Sequence, residues 1–169
     1  MNTNSSSDLS GKKVILALFG IPVLVGAWWA FRPEKLFINQ KVNEAVPASL
    51  SSEPEALYTG KLEGKAHQTS GRATIYKSPD GMQYLRLTDF TTSNGPDVHV
   101  ILVTTKDAMD DANFLKDNTD KVELGKLKGN EGDQNYEIPA GTDLTKFRTV
   151  SVYCERFNAN FGAAPLEKF

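Results

Sequence analysis

The 169-residue chain holds a single cysteine, Cys154, and only two histidines, His67 and His99. One cysteine excludes a disulfide within the chain, and three thiol or imidazole side chains fall short of the four ligands of the usual structural zinc site. Cationic excess is also missing: 19 Lys and Arg stand against 21 Asp and Glu, a formal net charge of −2. No basic stripe interrupts that balance, so nucleic acid, whose binding rests on neutralised phosphates, is excluded as a partner. Hydrolase signatures are absent as well, with no G-x-S-x-G elbow and no H-E-x-x-H helix. The haem-attachment motif C-x-x-C-H does not occur, and no repeat of fixed period is present. These absences exclude several classes without naming a function, and they give a stand-alone hydrolase no footing.

What the chain does have begins at Val14–Phe31, 18 residues without a charge, preceded by Lys12 and Lys13 and followed by Arg32. As a helix this run reaches about 27 Å, close to the bilayer hydrocarbon thickness of about 30 Å. Pro22, Gly20 and Gly26 suit a membrane helix better than a soluble one, and Trp28 and Trp29 stand where indoles favour the headgroup interface. We read residues 14–31 as a transmembrane signal anchor in contact with the lipid bilayer. Lys12 and Lys13 put residues 1–13 in the cytoplasm, as a disordered tail, and everything after Arg32 on the extracytoplasmic side. A cleaved signal peptide, with small residues at Val25-Gly26-Ala27, is the alternative. Residues 32–55, carrying Pro47, Pro54 and several serines, read as a linker.

From Ala56 the texture changes to short alternating runs cut by turn signals, the mark of antiparallel strands with one buried face. The expected strands are 57–63, 66–77, 83–89, 98–104, 121–126, 135–138 and 148–155. Turns fall at Ser78-Pro79-Asp80-Gly81, Ser93-Asn94-Gly95-Pro96 and Gly129-Asn130-Glu131-Gly132. Asp107–Leu115 is the one helix candidate, and Asp143–Lys146 a single turn. Seven short strands over residues 56–169 predict an all-β domain, an antiparallel β-sandwich or a partly closed barrel with one short helix.

In order along this domain come SGRATIY around Gly71, LRLTDF (85–90), GPDVHV (95–100), GKLKG (125–129), GDQNYEIP (132–139) and VSVYCERFNANFGAAPL (150–166). In combination these segments resemble the DM-thirteen domain family, from Gly60 to the C-terminus. The resemblance implies a β-rich exported module of electron-transfer or oxidative systems at cell surfaces, found in larger members beside DOMON and b-type cytochrome domains. The family's signature cysteine falls on Cys154, which the resemblance casts as a bare redox thiol or as a ligand for a group such as haem. With no haem domain following the module before Phe169, the electron partner is expected to be a separate redox protein.

The residues themselves leave two readings of Cys154 open. In a strand running from Arg148 to Arg156 it shares a face with Val150 and Val152, which points to burial and an inert thiol. Arg156 lies on the same face about 7 Å along and would stabilise a thiolate if the strand end were open to water. His99, two residues after Asp97 on one strand face, is a weak second ligand for haem. Asp97 and His99 alone make no metal site, since no third ligand is identifiable, and the simpler role is a neutral imidazole on the sheet face, hydrogen-bonded to Asp97 or to a loop. In the resembled family Gly95-Pro96-Asp97 reads as a strand-entry motif, which implies that Pro96 fixes the backbone and Asp97 accepts loop N–H bonds. The acidic residues Asp107, Asp110, Asp111, Asp117 and Asp120 lack EF-hand spacing and read as a solvated surface. Tyr136, Pro139, Phe147, Phe157 and Phe161 are expected in core or edge packing. Three functions follow: a membrane-anchored redox accessory acting through Cys154, a surface binding or adhesion module with a structural cysteine, or a haem carrier.

Overall fold

The structure, a computed structural model, describes residues 20–23, 25, 26, 29, 38–50, 54–106, 115 and 120–169. Two compact units divide the chain, one over Met1–Phe37 and one over Ile38–Phe169. In the first, residues 20–23, 25, 26 and 29 are helical, with Ile21, Val23, Val25 and Trp29 exposed. Most of the apolar run 14–31 lies outside the described residues. Among those described, no helix is long and apolar enough to cross a membrane. The helix expected at 107–115 also falls outside them, save Leu115.

The second unit is a two-sheet sandwich. Its strands are β1 (Glu55–Lys61), β2 (Glu63–Gly64), β3 (Ser70–Lys77), β4 (Gln83–Thr91), β5 (Val98–Val103), β6 (Lys121–Lys126), β7 (Gln134–Ile138), β8 (Thr149–Cys154), β9 (Ala159–Pro165) and β10 (Glu167–Lys168). One sheet has the order β10-β1-β3-β4-β7 and the other β2-β9-β8-β5-β6, antiparallel throughout. A single 3-10 turn at Ala48–Leu50 precedes β1. The sheets remain two separate five-stranded layers, so the architecture is a sandwich and not a closed barrel.

Alternation builds the core. Ala73 and Ile75 of β3, Leu85 and Leu87 of β4, and Tyr136 and Ile138 of β7 face Val98, Val100 and Leu102 of β5 and Val150, Val152 and Cys154 of β8. Burying each large aliphatic side chain of this set contributes about 1.5–3 kcal/mol. The central strands β5 and β8 are buried along their whole length, because the outer face of their sheet is covered too. There Ile101, Val103, Tyr153 and Ala163 form a second cluster with Leu115 packed on it.

Five expected strands match in place and length to within a residue or two. The span 66–77 shortens to β3, and 57–63 splits into β1 and β2. β9 and β10 carry no alternating signal: ANFGAAP is small and glycine-containing, yet β9 pairs along β8 from Thr149↔Pro165 to Cys154↔Ala159. The 78–81 turn forms as expected, with Gly81 at φ 90° and its N–H donated to the Ser78 carbonyl.

Residues 39–45, within the segment read as linker, run along the 129–135 loop. Val42 and Glu44 donate backbone N–H bonds of 2.9 Å to the carbonyls of Glu131 and Asp133. Lys128 Nζ donates to Glu44 Oε1 at 2.8 Å, and Asn135 N–H to Glu44 Oε2 at 2.7 Å. Arg86 anchors the crossing, donating to the Glu44 carbonyl, to Asn135 Oδ1 and to Asp133 Oδ2. Gly132, at φ 94°, has room for nothing larger: an added Cβ would stand 2.0 Å from the Val42 carbonyl oxygen. No spacing in the sequence marks this strap, since its contacts cross about 90 residues.

Burial pushes the Glu44 carboxyl up, but the Lys128 and Asn135 hydrogen bonds outweigh it and leave the group below its ordinary 4.5. A carboxyl depressed by folding adds stability above its unfolded pKa and loses it as pH falls through the folded one. The strap is therefore expected to stay docked above pH 4.5 and to loosen below it, read as movement of the Val42 and Glu44 amide resonances in an acid titration. Gly132→Ala should release it at neutral pH, at a cost of about 1–2 kcal/mol from the left-handed backbone alone. Unchanged protection of those amides in Gly132→Ala would refute the steric argument.

Candidate functional site

Among the described residues, a group of ionisable side chains lies around His99 on the outer face of the β2-β9-β8-β5-β6 sheet. Strand parity sets it there: Val98 and Val100 point into the core, so His99 points out. His99 pairs with Lys126 on β6 and with Tyr153 on β8, and cross-strand partners share a face. A bulge in β6 then breaks the parity. Val100 pairs with Gly125 but Ile101 with Glu123, and Gly125 accepts the φ of 137° that the irregularity requires. The extra residue turns both Glu123 and Lys126 toward His99, although three positions apart in a regular strand they would face opposite sides.

The imidazole is nearly sealed, its side chain 7% exposed, and both ring nitrogens are engaged. Nδ1 lies 2.6 Å from Glu123 Oε1 and Nε2 lies 3.1 Å from Asp97 Oδ1. Lys126 Nζ donates to the same Asp97 oxygen at 2.9 Å. Glu155 completes the group: its backbone N–H donates to the Asp97 carbonyl at 3.0 Å, and its carboxylate receives Lys121 Nζ at 3.3 Å. Ligand atoms of Asp97, His99 and Glu155 fall within 4.8 Å of one another.

These contacts govern the protonation of the group. Burial is the largest single influence on His99 and disfavours its charge, but the hydrogen bonds to Glu123 and Asp97 together outweigh it and raise the pKa above 6.5. The Lys126 hydrogen bond, then that of His99, holds the Asp97 carboxyl below its ordinary range. The imidazole thus bridges two carboxylates, with the expected Asp97 contact on one nitrogen and Glu123 on the other. Asp97 takes side-chain donors in place of the loop N–H groups expected from its strand-entry position.

Cys154 belongs to the opposite face. It pairs with Val98 on β5 and Ala159 on β9, is 0% exposed, and sits in the inter-sheet cluster with Val98, Val152 and Phe161. β8 ends at Cys154, so the alternation expected to bring Arg156 onto the thiol's face does not reach it; Arg156 is exposed in the turn at 155–158.

The family model described as Electron transfer DM13 matches residues 61–166, well over half of the chain. The chain belongs to this family. No curated protein and no solved structure matches it. The DM13 match begins at the last residue of β1, spans β2–β9, and takes in both the His99 group and Cys154.

Within this DM13 module the residues do not fit a haem held by Cys154 and His99. Adjacent pairs in one ladder, Val98↔Cys154 and His99↔Tyr153, place the sulfur inside the sandwich and the imidazole outside it. Both imidazole nitrogens already face carboxylates, and the sulfur is packed among aliphatic and aromatic side chains. Two surface clefts, one of about 490 Å³ lined by Thr69, Thr92 and their neighbours and one of about 350 Å³ beside Tyr58 and Leu144, include neither residue.

His67 is not part of the group and packs against Phe161, with ring centroids 3.9 Å apart and the planes tilted by 40°. Of the apolar anchors, Tyr136, Phe147 and Phe161 are buried, whereas Phe157 is 64% exposed and Pro139 is exposed. Sequence reasoning found Asp97 and His99 and missed Glu123 and Glu155, which lie 24 and 56 residues from His99. Only the β5–β6 and β5–β8 registers with the bulge could have signalled them.

A fully buried thiol fills volume as a small hydrophobe. Cys154→Ala should cost about 1 kcal/mol, the void of roughly one methylene, and Cys154→Ser about 1–3 kcal/mol, because a hydroxyl without a partner is buried in its place. Denaturant midpoints check the order; a serine variant as stable as wild type would contradict the dry packing.

Proposed function

We propose that the protein is an electron-transfer accessory domain, tethered to a membrane on its extracytoplasmic side, that serves a separate redox protein and does not itself carry electrons on its thiol. The observation that carries this reading is the DM13 match over 61–166, whose description is electron transfer. Support for the tether is the uncharged run 14–31 with its flanking Lys12, Lys13 and Arg32 and its terminal tryptophans. Sealing of Cys154 in the core supports an indirect role, since the reactive thiolate needs contact with water or with a partner's group.

One observation favours the thiol itself. Cys154 is the last residue of β8, and the turn behind it is exposed at all four positions, with Asn158 at a positive φ of 49°. Opening of that turn would uncover the sulfur without unfolding the sandwich.

Alkylation of the full-length protein near neutral pH, with and without guanidinium, separates the two. The expected result is labelling of Cys154 only after unfolding; rapid labelling of the native protein would move the function onto the thiol. In membranes lacking the chain, wild type and Cys154→Ala should restore extracytoplasmic electron flow alike. If neither restores it, the electron-transfer reading fails and a surface-binding module is left.

A further inference from the structure

We propose that Asp97, His99 and Glu155 bind one divalent first-row transition-metal ion, with Zn(II) as the representative case. The site does not depend on the electron-transfer reading and can fail separately from it.

Geometry comes first. Ligand atoms around a tetrahedral ion with bonds of about 2.0–2.2 Å stand roughly 3.3–3.6 Å apart. The three donors here lie within 4.8 Å of one another, so a small swing of the exposed Glu155 side chain closes the set. Its backbone is already fixed beside Asp97 by the 3.0 Å bond from Glu155 N–H to the Asp97 carbonyl. His99 cannot swing, being buried on its strand.

The imidazole is also oriented as a ligand. Glu123, outside the donor set, lies 2.6 Å from Nδ1, and its carboxylate accepts the hydrogen bond that Nδ1–H donates, which leaves Nε2 directed at Asp97. A carboxylate behind a histidine in this way fixes the tautomer and strengthens the metal bond. Binding sends any proton on Nε2 to solvent. A buried, aimed nitrogen donor separates this group from an ordinary acidic surface patch.

Charge and donor type narrow the ion. Two carboxylates and a neutral imidazole balance a double positive charge. The cations now beside the carboxylates, Lys126 and Lys121, have side chains 74% and 43% exposed and can turn into water at little cost. One nitrogen with two oxygens suits Zn(II), Mn(II) or Fe(II); Ca(II) asks for six to eight oxygens, and Cu(I) for sulfur. Three protein donors leave a position open to water or an exogenous ligand.

The test uses the full chain stripped with a chelator and titrated with Zn(II) by calorimetry, with Co(II) absorption as a second readout. The expected result is one saturable site, a visible Co(II) band, and loss of both in His99→Gln. Asp97→Asn and Glu155→Gln should each weaken binding at least about tenfold, and Glu123→Gln by roughly 10–100-fold while retaining all three donors. Glu167→Gln, on the other sheet, should change nothing. Should His99→Gln fail to fold, Glu155→Gln at its exposed position decides in its place. No saturable Zn(II) binding by the wild-type chain, or binding indifferent to Asp97, Glu155 and Glu123, overturns the proposal.

Discussion

Two facing strands with strict alternation, β5 and β8, govern the chemistry of this molecule. Because successive side chains in a strand point to opposite faces, the pair Val98↔Cys154 is committed to the space between the sheets and the next pair, His99↔Tyr153, to the outside. A thiol and an imidazole adjacent in the ladder are therefore kept in different media. The sulfur lies in an aliphatic interior, and the imidazole lies against carboxylates that favour its protonated form. A one-residue slip of β8 would turn the sulfur to the outer face, but Val150 and Val152, buried on the thiol's face, oppose it.

Departures from alternation matter as much as the rule. The β6 bulge at Gly125 turns Lys126 to the same side as Glu123, and that irregularity makes a charged cluster from what a regular strand would have split between core and surface. The DM13 match thus includes, on one face, a packed cysteine and, on the other, a polar group assembled from four segments: the turn before β5, β5 itself, β6, and the turn after β8.

Much of the sandwich could be read in advance, and the residues that escaped did so for identifiable reasons. β3 to β8 announce themselves through alternating Val, Ile, Leu and Tyr bounded by Pro-Asp-Gly, Asn-Gly-Pro and Gly-Asn-Glu-Gly. β9 does not, because Gly162, Ala163 and Ala164 supply no hydrophobic rhythm; a Cβ on Gly162 would stand 2.5 Å from that of Thr69, so smallness is what the site requires. Cys154 was legible as an inward residue from its company with Val150 and Val152. Arg156 as its neighbour was not, since the strand's last residue depends on the turn that follows. The partners of His99 were hidden because register, bulge and turn position them, none of which leaves a local mark.

The packing of Cys154 also bears on where such a domain can work. An exposed unpaired cysteine in an oxidising compartment is open to mixed disulfides and to the sulfenic–sulfinic ladder. Those reactions need the sulfur to meet a partner, and the inter-sheet core denies that contact while Val98, Val152 and Phe161 stay packed. A single buried cysteine is thus compatible with life outside the cytoplasm, and the protection lasts only as long as the sandwich holds. The same burial shapes any electron-transfer role. A sulfur that cannot be touched can neither form a mixed disulfide nor ligate a metal held by another molecule. Charges held in place by the fold, such as Asp97 and Glu123 on either side of a sealed imidazole, lose less side-chain entropy on contact with another molecule than flexible charges do.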